Sequence, residues 1–354
     1  MNIRYRTDGG LFNLRRLKAK TKVHVDKLHD FLFADDCALN AGSIEDMQRS
    51  VNQFSTACNN FGLTINTKKT EVMYQSAPQK SYQEPTVTVN GQNLAAVDKF
   101  TYLGSTLSRN VNIDDEVDSR IAKASSAFGR LRSSVWERKG ISLSTKLSVY
   151  RAIVLTTLLY ACETWTVYQR HAKKLNRFHL NCLRKLLRVK WQDKVPDTDI
   201  LERSGMPSVF TILRQSQLRW AGHITRMPDE RLPKRVLYGE LLDGARSLGG
   251  QKKRFKDTLK ASLKDFGIDY NTWETLAEDR PAWRGAVRKE AAAYEAQRIT
   301  TAKIKRTTRK SRATNNHPVH AATGLSCPHC LKSFRARIGL ISHLRTHPTL
   351  QTNE

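Results

Sequence analysis

From residue 296 to residue 326 the chain carries seven Lys and Arg, no Asp or Glu, and no apolar periodicity. A segment of that kind cannot bury a core, and its Thr, Ser and Asn content predicts a disordered basic linker over 296–325. It divides the 354 residues into a body of 295 and a short tail that begins at Ser326. The body is long enough for two domains with apolar cores, whereas the tail is far below the size at which burial alone holds a fold. Something other than hydrophobic area has to organise the tail.

In the tail, Cys327, Cys330, His343 and His347 follow the spacing C-x2-C-x12-H-x3-H, with Phe334 and Leu340 between the two pairs. Two thiols and two imidazoles are the donors that Zn2+ takes in tetrahedral structural sites, and this spacing gathers them in a ββα zinc finger over 326–348. One Zn2+ is expected, and its binding, about 10–16 kcal/mol in such peptides, is the folding energy of the tail. The base-reading positions −1, 3 and 6 of the finger helix are Ala336, Gly339 and Ser342. None carries the amide or guanidinium that grips a purine edge. The finger is therefore expected to meet phosphates through Arg335, Arg337 and Arg345 without reading sequence.

Charge in the body is concentrated too. Residues 119–190 hold 16 Lys and Arg against 2 Asp and Glu, so this window and 296–326 together account for +21 of the net +27. Such surfaces attract polyanions, and RNA and DNA, bound largely independently of sequence, are the expected partners. No membrane is expected: the longest apolar run, 152–162, is far short of a bilayer span. The polar N-terminus predicts no signal peptide, so the location is read as intracellular, the nucleus before the cytoplasm. Cys37, Cys58, Cys162 and Cys182 read as reduced packing residues.

The hydrophobic pattern predicts an α+β body, mixed to about residue 105 and mostly helical to about residue 295. A helix is expected over 44–61, capped by Ser43, with Ile44, Met47, Val51, Phe54, Cys58 and Phe61 on one core face. Asn90-Gly91 predicts a tight hairpin. Over 168–189, Leu175, Phe178, Cys182, Leu186 and Val189 mark an apolar face, and Lys173, Lys174, Arg177, Arg184, Lys185 and Arg188 fill the others as candidate nucleic-acid contacts.

The segment HDFLFADDCALNA places Asp35 and Asp36 between two short apolar runs, at a hairpin tip where adjacent carboxylates repel unless a cation lies between them. With the capped helix, FGLTINTKKTEVM and KFTYLGSTLS following in order, this stretch resembles the distal palm of reverse transcriptases from non-LTR, LINE-like retrotransposons. The resemblance covers most of residues 1–295 and is strongest over 31–107. It implies that Asp35 and Asp36 are two of the catalytic carboxylates and bind Mg2+, that Lys69 stands where a lysine assists pyrophosphate departure, and that Tyr102, Leu103 and Gly104 belong to a hairpin gripping the primer terminus. It further implies a palm remnant over 1–105, a basic helical thumb over 106–190 and a helical C-terminal region over 191–295.

Two-metal phosphoryl transfer needs a third, bridging carboxylate, which the family supplies well upstream of this hairpin. Only 34 residues precede Asp35. The chain is accordingly expected to correspond to the C-terminal part of such a polymerase, truncated before the fingers and first catalytic Asp and inactive alone, with Asp26 and Asp30 too close along the strand to substitute. Two alternatives stand beside this: an active RNA-directed DNA polymerase within a longer gene product, and a non-enzymatic C2H2 zinc-finger protein. Other signals read as structural. Gly250-Gln251 lacks the Lys and hydroxyl of a phosphate loop, His223 has no ligand partner at metal spacing, and His179 with Cys182 falls on an apolar helix face.

Overall fold

The structure is a computed structural model and describes residues 1–76, 81–242, 251–315, 325–330, 332–334 and 336–347. It contains two compact units, Met1–Ile299 and Thr300–Glu354. In chain order the first holds strands β1 (Asn2–Tyr5), β2 (His24–Lys27), β3 (Asp30–Phe33) and β4 (Asp36–Leu39), helix α1 (Ile44–Asn60), and short strands β5 (Glu71–Val72), β6 (Thr88–Val89), β7 (Gln92–Asn93) and β8 (Ala95–Ala96). Strands β9 (Lys99–Tyr102) and β10 (Ser105–Ser108) precede the long helix α2 (Asp114–Arg130). The helical run continues with α3 (Leu143–Val149), which passes through a π-helical stretch into α4 (Thr156–Leu158), then α5 (Gln169–Leu186), α6 (Asp197–Ser204) and α7 (Val209–Thr225). Helix α8 (Leu232–Tyr238), strand β11 (Glu240–Leu241), α9 (Phe255–Asp265) and α10 (Trp273–Glu278) follow, and α11 (Arg280–Asn315) starts in the first unit and ends in the second.

Three antiparallel hairpins place their first turn residue in the left-handed region, and two of them place both turn residues there. Asn90-Gly91 joins β6 to β7 with φ of +50° and +79°, and Leu103-Gly104 joins β9 to β10 with +47° and +80°. Both central residues in the left-handed region is the geometry whose twist suits a two-residue hairpin, at little cost for Asn and Gly and at a real cost for Leu. The β3–β4 tip is the third, with Phe33 opposite Asp36 and Ala34 at φ +51°.

Apolar burial is uneven. Around the hairpins the core is Val51, Val87, Val89 and Leu94, with Leu39, Ile44, Met47, Ile65 and Val72 packed against it. Helix α1 is capped by Ser43, which accepts from the Asp46 amide at 3.0 Å, as the sequence predicts. Its expected core face is only partly realised: Val51 is buried, Phe54 and Cys58 are half-buried, and Phe61 is 82% exposed. Little packs against the C-terminal end of α1, because β3 and β4 form a two-stranded sheet and β5 to β8 are two residues each.

The helices bury far more. One cluster joins α2, α3 to α7 and the π-helical stretch through Tyr150, Val154, Leu158, Leu175, Leu183 and Ile200. A second joins the C-terminal half of α7 to α9, α10 and α11 through Leu218, Leu259, Leu263, Trp273 and Trp283. Gly222 on α7 lets α11 approach: a Cβ there would lie 2.1 Å from Trp283 Nε1, which donates to the Leu218 carbonyl at 3.1 Å. Among the described residues no helix is long and apolar enough to cross a membrane.

Two boundaries differ from the sequence reading. Residues 1–28, read there as palm, pair with the C-terminal helical region: β1 lies between β2 and β11, Leu11 enters the second helical cluster, and Arg235 holds Asp26 at 2.7 Å. The partners are more than 200 residues apart, so no local pattern announces them. Residues 296–315, read as linker, continue α11. The run 286–315 has no Gly or Pro, and a helix already nucleated by the packed Trp283, Val287 and Ala291 extends at low cost. Residues 316–324 of that linker lie outside the described residues, as do Gly250 and Arg335.

The second unit contains the finger. Strands β12 (Leu325–Ser326) and β13 (Ser333–Phe334) pair antiparallel and are followed by helix α12 (Arg337–Leu344).

Candidate nucleic-acid and metal sites

The β3–β4 hairpin presents Asp35 in its turn and Asp36 as the first residue of the returning strand, both exposed. Tyr102 brings the β9–β10 hairpin alongside, its hydroxyl donating to the Phe31 carbonyl at 2.8 Å. Desolvation, then the charges of Asp36 and Cys37, raise the Tyr102 phenol above its ordinary range. The Cys37 thiol is likewise raised, by desolvation first and then by Cys58, Asp36, Asp30 and Asp35. The two hairpins nominated separately from sequence thus share one electrostatic neighbourhood. Cys37 itself is exposed rather than packed.

The tip of the β9–β10 hairpin is held by residues that sequence reasoning passed over. Glu116 and Arg120, one turn apart on α2 and each 4% exposed, form a buried ion pair at 2.7 Å. Glu116 accepts from the Thr106 amide at 2.7 Å, and the Arg120 guanidinium donates to the Gly104 carbonyl. Arg120 also lies 4.5 Å over the Tyr160 ring, and the Tyr160 hydroxyl donates to the Leu103 carbonyl at 3.0 Å. The left-handed Leu103 is therefore pinned from two sides, which offsets its backbone strain. The available signal was the i, i+4 spacing of Glu116 and Arg120, which is common on any helix surface and did not announce burial.

Lys69 sits exposed in a turn whose Lys69 and Thr70 amides both donate to the Asn66 carbonyl at 3.0 Å. Among the described residues no recorded contact joins it to Asp35 or Asp36. Two hard carboxylates suit Mg2+, yet the bridging third one that two-metal chemistry requires does not converge on them. Asp26 is taken by Arg235, and among the described residues only one group of three or more His, Cys, Asp or Glu side chains comes together anywhere. Among the described residues nothing completes a magnesium site around Asp35 and Asp36, and no catalytic step is derived from them.

The one converging group is Cys327, Cys330, His343 and His347, whose donor atoms lie within 4.8 Å of one another. Cys327 Sγ is 3.3 Å from His347 Nε2, Cys330 Sγ is 3.1 Å from His343 Nε2, and the two Nε2 atoms are 3.1 Å apart. Bonds of about 2.3 Å to sulfur and 2.0–2.1 Å to nitrogen give tetrahedral edges of roughly 3.3–3.8 Å, so the donors fit Zn2+. Desolvation raises the Cys327 thiol, but amide donors from His329 and Cys330 outweigh it and hold the group below its ordinary value. Desolvation, with His347 and Lys332 nearby, lowers His343. Both shifts favour the forms that ligate metal. Phe334 packs its ring 4.7 Å from that of His343, Leu340 is half-buried, and the expected reading positions Ala336 and Ser342 are exposed.

Helix α5 has the predicted amphipathic design, with Leu175, Cys182, Leu183 and Leu186 buried. Its nominated cations divide. Lys174 is paired with Asp118 and Arg184 with Asp197, while Lys173, Arg177 and Arg188 are exposed and have no ion-pair partner among the described residues. Lys185 Nζ lies 5.7 Å from the Phe128 ring. His179 is fully buried, its Nδ1 2.9 Å from the Tyr150 hydroxyl, and burial pushes it down to about 4. Cys162 and Cys182 are buried and pushed up to about 12 by the same cause. These three are core groups, and His223 is a surface histidine beside Trp220.

Residues 12–107 match the profile of the reverse transcriptase (RNA-dependent DNA polymerase) family. The chain is similar to retrotransposon reverse transcriptases. A transposon-derived protein of Caenorhabditis elegans is 26% identical over 281 residues, 76% of this chain and 98% of that protein. The RNA-directed DNA polymerases from mobile element jockey of Drosophila funebris and Drosophila melanogaster are 26% and 21% identical over 116 and 174 residues. Those stretches are 32% and 47% of this chain but only 13% and 19% of the polymerases. No solved structure matches.

Proposed function

We propose that this chain is a nucleic-acid-binding, zinc-binding relative of non-LTR retrotransposon polymerases that does not extend primers by itself. The observation that carries the reading is the junction of the two hairpins, where Tyr102 ties the YLG turn to the strand leading into Asp35 and Asp36. In a polymerase that juxtaposition sets a primer terminus beside metal-binding carboxylates. Here Asp35, Asp36 and Lys69 are assigned those roles by resemblance, with Tyr102, Leu103 and Gly104 at the primer end. Among the described residues no third carboxylate joins Asp35 and Asp36, which supports reading the chain as a binder of template and primer rather than a catalyst. The exposed Lys173 and Arg177 of α5, with Arg188 just past its C-terminal end, take the phosphate backbone of RNA or DNA without regard to sequence. Cys327, Cys330, His343 and His347 hold one Zn2+, and the protein works in the nucleus.

A second reading, an active polymerase completed by further palm strands, is favoured by one observation: among the described residues β3 and β4 pair only with each other, and Leu32 is 59% and Phe33 63% exposed. The test is primer extension on a primed RNA template with Mg2+ and dNTPs, run beside binding of the same RNA–DNA hybrid. The expected result is binding without extension, and one zinc per chain that is lost in Cys327→Ser. Extension that disappears in Asp35→Ala would overturn the inactivity. A chain that loses all hybrid affinity on removal of residues 297–354 would instead be a zinc-finger protein.

A further inference from the structure

Helix α11 changes character at Arg298. Before it, Trp283, Val287 and Ala291 are buried, and Glu295 is 9% exposed and bound by Arg298 at 3.1 Å. Beyond it the helix continues to Asn315, and none of the side chains described between 300 and 312 is buried. Nothing in this half explains a helix by packing. Thr300, Thr301, Thr307 and Thr308 are weak helix formers, and Lys305 with Arg309, or Arg306 with Lys310, set like charges one turn apart.

The charges have one arrangement in common. Lys305, Arg309 and Arg312 fall at i, i+4 and i+7, on a single face, all exposed and without an ion-pair partner among the described residues. No acid occurs from 296 to 326 to neutralise them. Thr307, Thr308 and Ser311 turn their hydroxyls back onto helix carbonyls at 2.8–3.0 Å, so they do not screen the face either. At a rise of about 1.5 Å per residue, three cations in register span roughly 10 Å, about three of the 3.4 Å axial steps at which one duplex strand carries its phosphates. A membrane surface fits less well, since the apolar complement of this half is Ile304 and alanines rather than the Trp, Phe and Leu face that interfacial helices insert.

We propose that residues 300–315 form a second nucleic-acid-binding element, in which Lys305, Arg309 and Arg312 grip consecutive phosphates of a DNA or RNA backbone. Neutralising these like charges stabilises the helix further, so bound polyanion and helicity rise together. The inference rests on the reading above only for the class of partner.

The test uses the full, zinc-loaded chain and three charge-matched variants: Lys305→Gln/Arg309→Gln/Arg312→Gln, Lys173→Gln/Arg177→Gln/Arg188→Gln, and Lys18→Gln/Lys20→Gln/Lys22→Gln as a control on an exposed N-terminal segment. Labelled duplex DNA, an RNA–DNA hybrid and phosphatidylserine vesicles are titrated across a salt series, with circular dichroism at each step. The α11 variant should lose about two to three units of salt slope and about tenfold in affinity for at least one nucleic acid, beyond the control, and should lose the gain in helicity on binding. The DNA and hybrid arms decide which backbone is held. A slope no different from the control overturns the inference while leaving the α5 reading intact. Loss confined to the vesicles overturns it in favour of a membrane. A wild-type chain that binds neither nucleic acid overturns the underlying reading as well.

Discussion

Around the Asp35–Asp36 hairpin the described residues bury four apolar side chains, whereas the helical region buries clusters of 21 and 14. The part richest in motif is the part least supported by core. The motif residues Asp35 and Asp36 are exposed and so add nothing to a core, while core residues repeat with helical spacing and carry no distinctive signature. In a polymerase of the resembled family the hairpin would be backed by further strands; here its order rests on Tyr102, the α1 contacts and the α2 clamp. The protein is thus a stable helical body carrying a thinly supported hairpin region, and the contrast can be probed from both ends.

The largest effect is expected in the helical cores. Trp283→Ala removes a fully buried indole and its bond to Leu218, and should cost about 3–5 kcal/mol by urea unfolding. Val51→Ala in the hairpin region should cost about 1–2 kcal/mol, because two methyl groups leave a shallower site whose neighbours can close in. Equal losses would mean that the two regions unfold as one and that the contrast in burial has no energetic counterpart.

Breaking the clamp between the regions comes next. Arg120→Met keeps a long apolar stem but strands Glu116 as a buried, unpaired carboxylate, a change of about 3 kcal/mol or more. A Glu116→Gln/Arg120→Met double variant should recover part of that loss. Because Arg120 holds Gly104 and stacks on Tyr160, the single variant should also make the Leu103-Gly104 turn the first site of limited proteolysis. Cleavage that stays at the α2 N-terminus instead would remove the clamp from the account.

His179 provides a pH handle on the helical half alone. Its ring faces the Tyr150 hydroxyl, the Pro207 carbonyl and, at longer range, Glu295, and burial lowers it to about 4. The unfolded chain, with an ordinary value near 6.5, binds the proton that the folded chain refuses. Stability from this group is therefore complete above about pH 6.5 and is lost as pH falls toward 4, about 3 kcal/mol in all. The urea midpoint should drop between pH 7 and 5 in the wild type and drop less in His179→Asn. A midpoint that falls equally in both would assign the acid limb to carboxylates elsewhere.

Much of this arrangement was legible beforehand, and the misses share a cause. The Cys2His2 group, the Ser43 cap, the Asn90-Gly91 turn and the α5 face depend on residues within about twenty positions of one another, which spacing can reveal. The pairing of β1 with β11 and the burial of Glu116 with Arg120 depend on what the chain meets after it folds back. Helix α11 is intermediate: composition argued for disorder, while the absence of Gly and Pro from 286 to 315 was a local signal that charge obscured. Among the described residues no third carboxylate gathers with Asp35 and Asp36, and the nearby Asp26 is engaged by Arg235.

The smallest effect, and the most discriminating, belongs to the motif itself. Asp35→Asn and Asp36→Asn alter exposed carboxylates in a turn, where substitutions ordinarily move stability by less than about 0.5 kcal/mol. The direction should be slightly stabilising in low salt, because Asp30, Asp35 and Asp36 place like charges on one short hairpin and no cation among the described residues pairs with Asp35 or Asp36. Added Mg2+ should narrow the difference if the pair binds it even weakly, since a divalent ion relieves the same repulsion that the amide removes. Melting curves of the three proteins with and without millimolar Mg2+ measure this directly. A destabilised Asn variant would mean that the carboxylates hold the Ala34 turn together, and the pair would then be structural despite the motif it completes.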